Sequence, residues 1–351
     1  MIIRQNYNLR EFNTFGISAN ARFFTELRNE GDLAHLFSIP EFKDNPKVFL
    51  GGGSNVLFTQ DFDGLVVLNK LKGVEILNVP TEVGIPTKVG EDSVYIRAKS
   101  GENWHDLVTF AVERGYWGIE NLALIPGTVG AAPMQNIGAY GAELGDVLEN
   151  VETIEVSTGA KRIFTNQECE LGYRDSVFKN KFKDKYFISA ITLKLSKIPK
   201  PNTSYKALSD YLGKNKVEIN GPKDISDAVE SIRRSKLPDP KVICNAGSFF
   251  KNVFISKTAL ENMLQTYPEM PYFEEDGNIK IPAGWLIEQC NWKGKRVGNV
   301  GVHEKQALVL VNYGGATGEE IYNLAKQIIM SVEAKFGLRL ESEVNIIGLL
   351  S

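Results

Sequence analysis

Apolar positions along this chain recur with two different periods. Short runs rich in β-branched and aromatic residues occur at 47–50, 65–68, 74–79, 94–98, 151–156, 187–195 and 308–312, each bounded by Gly, Pro or Asn, and they predict strands. Helical spacing appears between and after them. Leu107, Val108, Ala111 and Val112 fall on one face of a segment predicted to run from Trp104 to Arg114, with Asn103 as its cap and Gly115 as its end. Ile321, Leu324, Ala325, Ile328, Val332 and Phe336 form the longest amphipathic stripe, which predicts a helix over 318–336 that stops at Gly337. Shorter helices are predicted over 226–236 and 256–266. The polar, Pro-containing stretch 197–223 has little periodicity and reads as a mobile excursion. Strands and helices mixed in this way predict an α+β or α/β protein without internal repeats.

Length and charge narrow the class. A chain of 351 residues exceeds the size at which single cores usually stop growing, about 250–300 residues, so two or three domains are expected. The formal charge of −3 lacks the basic excess of a nucleic-acid binder. Cys169, Cys244 and Cys290 have no paired spacing and read as reduced thiols. The first residues carry no apolar leader and no run of eighteen apolar residues occurs, so a cytoplasmic protein without a membrane partner is expected.

Two glycine-rich segments carry the candidate chemistry. Gly51, Gly52, Gly53, Ser54, Asn55 and Val56 follow the apolar run Val48-Phe49-Leu50 and offer successive backbone N–H groups to an anion. The second runs from Ile125 through Pro126, Gly127, Thr128, Gly130, Asn136, Gly138, Ala139 and Tyr140 to Gly141, almost without charge, as a loop would that wraps a bound group. Neither matches the Rossmann or Walker A fingerprint. Together they suggest a dinucleotide. His35, His105 and His303 lack metal-ligand spacing and read as structural, so no metal is expected.

By residue type alone, Arg174 reads as the ion-pair partner of Asp175, Ser248 as a turn residue and Lys236 as a helix C-terminal cation. The ordered motifs point further. Asn13-Thr-Phe-Gly16, Gly51-Gly-Gly-Ser-Asn-Val56, Ala98-Lys-Ser-Gly-Glu-Asn-Trp-His105, Pro126-Gly-Thr-Val-Gly130, Asn136-Ile-Gly-Ala-Tyr-Gly141, Gly172-Tyr-Arg-Asp175, Asn245-Ala-Gly-Ser-Phe-Phe-Lys-Asn252, Ala283-Gly-Trp-Leu-Ile287 and Glu341-Ser-Glu-Val344 run nearly the length of the chain. Their order resembles the UDP-N-acetylenolpyruvoylglucosamine reductase family, in its longer subtype with a mobile tyrosine loop.

That resemblance implies an α+β, FAD-binding fold of the vanillyl-alcohol-oxidase type with a third lobe covering the substrate. It implies lobes at 1–70 plus 340–351, at 71–222 with the 197–223 loop, and at 223–339. The implied activity is NADPH-dependent reduction of an enolpyruvyl UDP-sugar through noncovalent FAD, in peptidoglycan precursor synthesis. Carried over residue by residue, Arg174 faces the substrate carboxylate, Ser248 donates a proton to the carbanion, and Glu343 is the third catalytic group. Tyr205, Lys236, Asn252 and Gln306 match substrate-binding positions, and the two glycine-rich loops hold the flavin. A different flavin oxidoreductase of the same fold would keep the loops and lack the Arg174, Ser248 and Glu343 set, whereas a noncatalytic nucleotide-binding module would purify colourless.

Overall fold

The computed structural model describes residues 1–77, 92–275 and 277–348. The predicted strand at 74–79 is observed as Val74–Leu77, and its last two residues lie outside the described ones. Contacts divide the chain into two compact units. The first comprises residues 1–7, 22–52 and 63–235; the second comprises 8–21, 53–62 and 236 onward.

The first unit holds two sheets. In one, Lys47–Leu50 runs parallel to the middle of Phe62–Asn69, beside Asn20–Leu27 and Arg4–Asn8. Six consecutive residues, 64–69, are buried, which explains why this run shows no alternation: both faces of the strand are covered. In the other sheet, Tyr186–Ser196 lies centrally between Leu148–Glu155 and Ser93–Lys99, flanked by Lys161–Thr165 and Val74–Leu77. Helix α1, Trp104–Val112, begins where the sequence placed it: the Asn103 side chain accepts from the Asp106 N–H, satisfying a first-turn donor. Its apolar face joins the core with Leu193, Val151 and Ile96. Each such buried aliphatic side chain contributes about 1.5–3 kcal/mol relative to exposure.

One expectation fails here. The 197–223 stretch is not a featureless excursion, because it contains helix α2, Lys206–Asn215, and leads directly into helix α3, Pro222–Lys236. Leu208 and Leu212 sit one turn apart and are buried in the same core cluster as α3's Ile225, Val229 and Ile232. Two buried leucines in ten residues, with Tyr211 packed beside them, suffice to dock a short helix, yet fall below what a periodicity reading detects. Helix α3 also starts four residues before its predicted start.

The second unit pairs Cys244–Ser248 with Val309–Asn312, followed by Val300–Val302 and Arg296–Val297, all antiparallel. Helix α4, Lys257–Thr266, is capped by Ser256. Helix α5, Gly318–Phe336, carries a reciprocal Thr317/Glu320 capping box and ends at left-handed Gly337, as its stripe predicted. Strand Val56–Phe58, which follows the triple glycine, pairs in parallel with Asn345–Ile347. The three cysteines are free thiols, and burial pushes the Cys169 thiol up to about 12.

Candidate functional site

In the first unit Gly51 and Gly52 pack against the second glycine-rich segment. A Cβ at Gly51 would stand 2.3 Å from the Thr128 hydroxyl, and one at Gly52 would stand 3.1 Å from the Gly127 Cα. At Gly130 it would meet Ser100 at 2.5 Å. These glycines are therefore required by the approach of protein to protein.

Backbone strain concentrates in the same region. Leu124, Asn136, Tyr140 and Arg174 all adopt left-handed φ, at 57°, 41°, 50° and 55°. Residues other than glycine rarely do so, and each instance costs on the order of 1–3 kcal/mol that surrounding contacts must offset. For Asn136 those contacts are visible. Its Oδ1 accepts from the Gly145 N–H at 3.0 Å, and its Nδ2 donates to Glu143 Oε2 at 2.7 Å and to the Gly172 carbonyl at 3.2 Å. The side chain thus ties the long loop to the turn that presents Arg174.

That turn is closed by reciprocal backbone bonds between Gly172 and Asp175, both 3.1 Å, with Arg174 at its left-handed third position as in a type II turn. The Arg174 Nη2 donates to the Gly138 carbonyl at 2.9 Å, and the Lys179 ammonium donates to the Arg174 carbonyl at 3.0 Å. The Asp175 carboxylate accepts from Asn180. Both ends of Arg174 are thereby tied to the loop and its turn.

Tyr140 and Tyr205 meet edge to face with centroids 5.4 Å apart. Tyr205 immediately precedes α2 and is half exposed. Asn121 fixes the approach of this segment, donating to the carbonyls of both Tyr140 and Asn202, while Asn202 donates to the Gly141 carbonyl. Burial pushes the Tyr140 hydroxyl above its ordinary value, against the opposing influence of the Arg233 charge.

Arg233 is the residue that the sequence reading missed. Burial depresses its pKa, and the neighbouring positive charge of Arg174 depresses it further, against the opposing influence of Tyr140. Its Nε is buried with no hydrogen-bond partner among the described residues. A signal existed: Arg233 lies one turn after buried Val229, on the buried flank of α3, whereas the adjacent Arg234 points outward and pairs with Glu230 at 3.1 Å.

In the second unit the structure brings Ser248 and Glu343 together through backbone. A bulge separates the pairs Asn245–Val311 and Ser248–Val309, with left-handed Gly247 inside it, so the strand bends just before Ser248. The Glu343 N–H donates to the carbonyl of the next residue, Phe249, at 2.8 Å. Asn55, from the first glycine-rich segment, donates to the Glu343 carbonyl at 3.3 Å and accepts from the Asn345 N–H. Glu341 is three-quarters exposed and pairs with Lys251. Asn252 Oδ1 accepts from the Ala283 N–H at 3.1 Å, and the Gln306 side chain lies near Gly284. Lys236 ends α3 and is exposed.

The residues fit a large anionic cofactor. An unpartnered buried guanidinium nitrogen beside Tyr140, which itself packs on Tyr205, is a donor that an electron-rich ring or phosphate would complete.

Comparison with known proteins agrees. A family model described as FAD binding domain matches residues 21–163, and one described as UDP-N-acetylenolpyruvoylglucosamine reductase, C-terminal domain, matches residues 239–347. UDP-N-acetylenolpyruvoylglucosamine reductase of Flavobacterium johnsoniae is 45% identical over 349 residues, spanning 99% of this chain and 100% of the relative. That of Amoebophilus asiaticus is 46% identical over 350 residues, with the same coverage. Among solved structures, UDP-N-acetylenolpyruvylglucosamine reductase from Thermus caldophilus superposes with a TM-score of 0.66 at 21% identity, covering 99% of this chain and 100% of the other, which shows a shared fold. The α+β, FAD-binding fold is as the motifs implied, and the chain belongs to the UDP-N-acetylenolpyruvoylglucosamine reductase family.

Proposed function

We propose that this chain catalyses the NADPH-dependent reduction of UDP-N-acetylglucosamine enolpyruvate to UDP-N-acetylmuramate, as a cytoplasmic step of peptidoglycan precursor synthesis. Family membership over nearly the whole chain is the observation that carries this reading. Noncovalent FAD, when bound, supplies hydride transfer between NADPH and the vinyl carbon. The Gly51–Val56 and Ile125–Gly141 segments, with Arg233, are the residues assigned to hold it, and 223–339 is assigned as the lobe covering the substrate.

The remaining chemistry falls to side chains. Reduction of an enolpyruvyl ether places negative charge on the carbon next to the carboxylate, and that charge spreads into the carboxylate oxygens. Arg174 is assigned to those oxygens: its guanidinium stays charged throughout and is held by the Gly138 carbonyl, so little reorganisation is needed as charge develops. Ser248 is assigned to deliver the proton from Oγ to the carbon. A hydroxyl is a weak acid, so placement must do what acidity does not, and the bulge before Ser248 restricts its direction. Glu343 is assigned beside the carboxylate, where a protonated carboxyl would donate a hydrogen bond. Lys236, Asn252, Gln306 and Tyr205 are assigned to the UDP-sugar, with Lys236 countering diphosphate charge.

The experiment is turnover with both substrates. NADPH should be consumed one for one with the enolpyruvyl UDP-sugar, and the product should be heavier by two hydrogens. NADPH oxidation that ignores the UDP-sugar would remove the assignment.

A further inference from the structure

His105 reads as structural in the sequence, yet the segment Glu102-Asn-Trp-His105, which forms the start of α1 and the residues before it, grips the glycine-rich loop at several points. The Val129 N–H donates to the Glu102 carbonyl at 2.9 Å, the Trp104 N–H donates to the Gly127 carbonyl at 3.1 Å, and the Trp104 indole donates to the Leu122 carbonyl at 3.0 Å. Between these, the Leu124 N–H donates to His105 Nδ1 at 3.1 Å. Leu124 is the strained residue of this stretch, with φ of 57°, and it immediately precedes the loop that begins at Ile125. Of these grips, only the bond to Leu124 depends on a side-chain acceptor. The others are accepted by backbone carbonyls that any residue would supply, with the Trp104 indole as the one side-chain donor among them.

The other ring nitrogen completes the picture. Because Nδ1 accepts, the proton of the neutral ring sits on Nε2, and Nε2 faces Glu230 Oε1 on α3 at 3.3 Å. Glu230 is itself held by Arg234 at 3.1 Å. Both ring partners are therefore fixed, and the imidazole is locked in one tautomer with its acceptor turned toward Leu124. Three residues after Glu230, α3 carries Arg233, so the same helix serves the loop and the cation.

We propose that His105 is a positioning residue for the cofactor loop: its Nδ1 holds Leu124 in the left-handed conformation from which the 125–141 loop departs, and Glu230 fixes the tautomer that makes this possible. The proposal rests on the reading of that loop as the flavin-holding one. Without the acceptor, the Leu124 N–H loses its partner and the residue relaxes toward the ordinary right-handed or extended regions, which displaces the loop that follows.

The test uses two substitutions that split the ring's roles. His105→Asn keeps an acceptor where Nδ1 stands and loses the reach to Glu230. His105→Gln keeps a donor where Nε2 stands and loses the acceptor. Hydrogen exchange over residues 119–135 is measured in the full chain saturated with FAD, together with FAD affinity and the visible flavin spectrum. His105→Gln should speed exchange, weaken FAD by about tenfold or more, and shift the flavin band, while His105→Asn restores all three toward native values. Unchanged exchange in His105→Gln, or no recovery in His105→Asn, would overturn the proposal. Faster exchange with native FAD affinity and spectrum would overturn the link to the cofactor and, with it, the flavin reading of the loop.

Discussion

The backbone N–H of Glu343 donates to the carbonyl of Phe249 at 2.8 Å, which fixes the carboxylate-bearing segment against the residue that follows Ser248. Two candidate catalytic groups almost a hundred residues apart in sequence thus share one strand edge. A side-chain change at either position leaves this bond intact, so the effect of substitution reports on chemistry rather than on collapse of the segment.

Glu343→Gln should therefore keep native thermal stability to within a few degrees, and both it and Arg174→Lys should lower turnover steeply. Lysine at position 174 retains charge but not the planar fork, which can hold the Gly138 carbonyl and offer further N–H groups to the carboxylate proposed as its partner. Rapid-mixing measurement of each half-reaction should find the loss in the step that consumes the UDP-sugar, because only that step develops charge on the carboxylate. Equal losses in both steps would contradict the assignment.

Arg233 should show the opposite sign in stability and in binding. A half-buried arginine whose Nε is fully enclosed and unpartnered, beside another arginine, is a liability in the absence of an anion. Arg233→Met removes that cost at similar volume. Thermal melts without FAD should show unchanged or raised stability, and titration should show FAD binding weakened by at least tenfold. A destabilised apoprotein with native FAD affinity would make Arg233 a structural residue.

Glycine substitutions separate backbone need from simple flexibility. At Gly53 the φ of 63° disfavours any side chain by roughly 1–2 kcal/mol, and a Cβ would fall 1.9 Å from the Phe12 carbonyl oxygen. Gly53→Ala should lower the melting temperature by several degrees. Gly213 lies inside α2 with nothing within 4 Å of a built Cβ, so Gly213→Ala should stabilise by roughly 0.5–1 kcal/mol. Calorimetry of the two variants checks both signs, and a destabilised Gly213→Ala would mean that α2 is not helical in solution.

Legibility in the sequence followed the strength of local signals. Helix α5 was readable because six apolar residues repeat over nineteen positions between a capping box and a left-handed glycine. Helix α1 was readable from Asn103 and its single apolar face, although it ends at Val112, before the expected Arg114. Helix α2 was not, since Leu208 and Leu212 gain meaning only from the core they dock against. The same divide runs through the site. Asn136 and the glycines announce themselves by type, and the motif order names Arg174, Ser248 and Glu343 as candidates. Arg233 escapes notice because its importance lies in what surrounds it, a property of packing. The strain at Leu124 is likewise invisible in a sequence where leucine is an ordinary residue.

The central claim is that this chain passes hydride to an enolpyruvyl UDP-sugar and that Ser248 supplies the accompanying proton. The most direct measurement reduces the FAD-loaded enzyme with NADPH anaerobically and then mixes it with the enolpyruvyl UDP-sugar, for the native chain and for Ser248→Ala. Native enzyme should reoxidise with one equivalent of substrate. Ser248→Ala should be reduced at a near-native rate and reoxidise slower by about 10²–10⁴ or more, the usual contribution of a positioned proton donor. Native reoxidation in Ser248→Ala, or a reduced native enzyme that the UDP-sugar fails to reoxidise, would contradict the account.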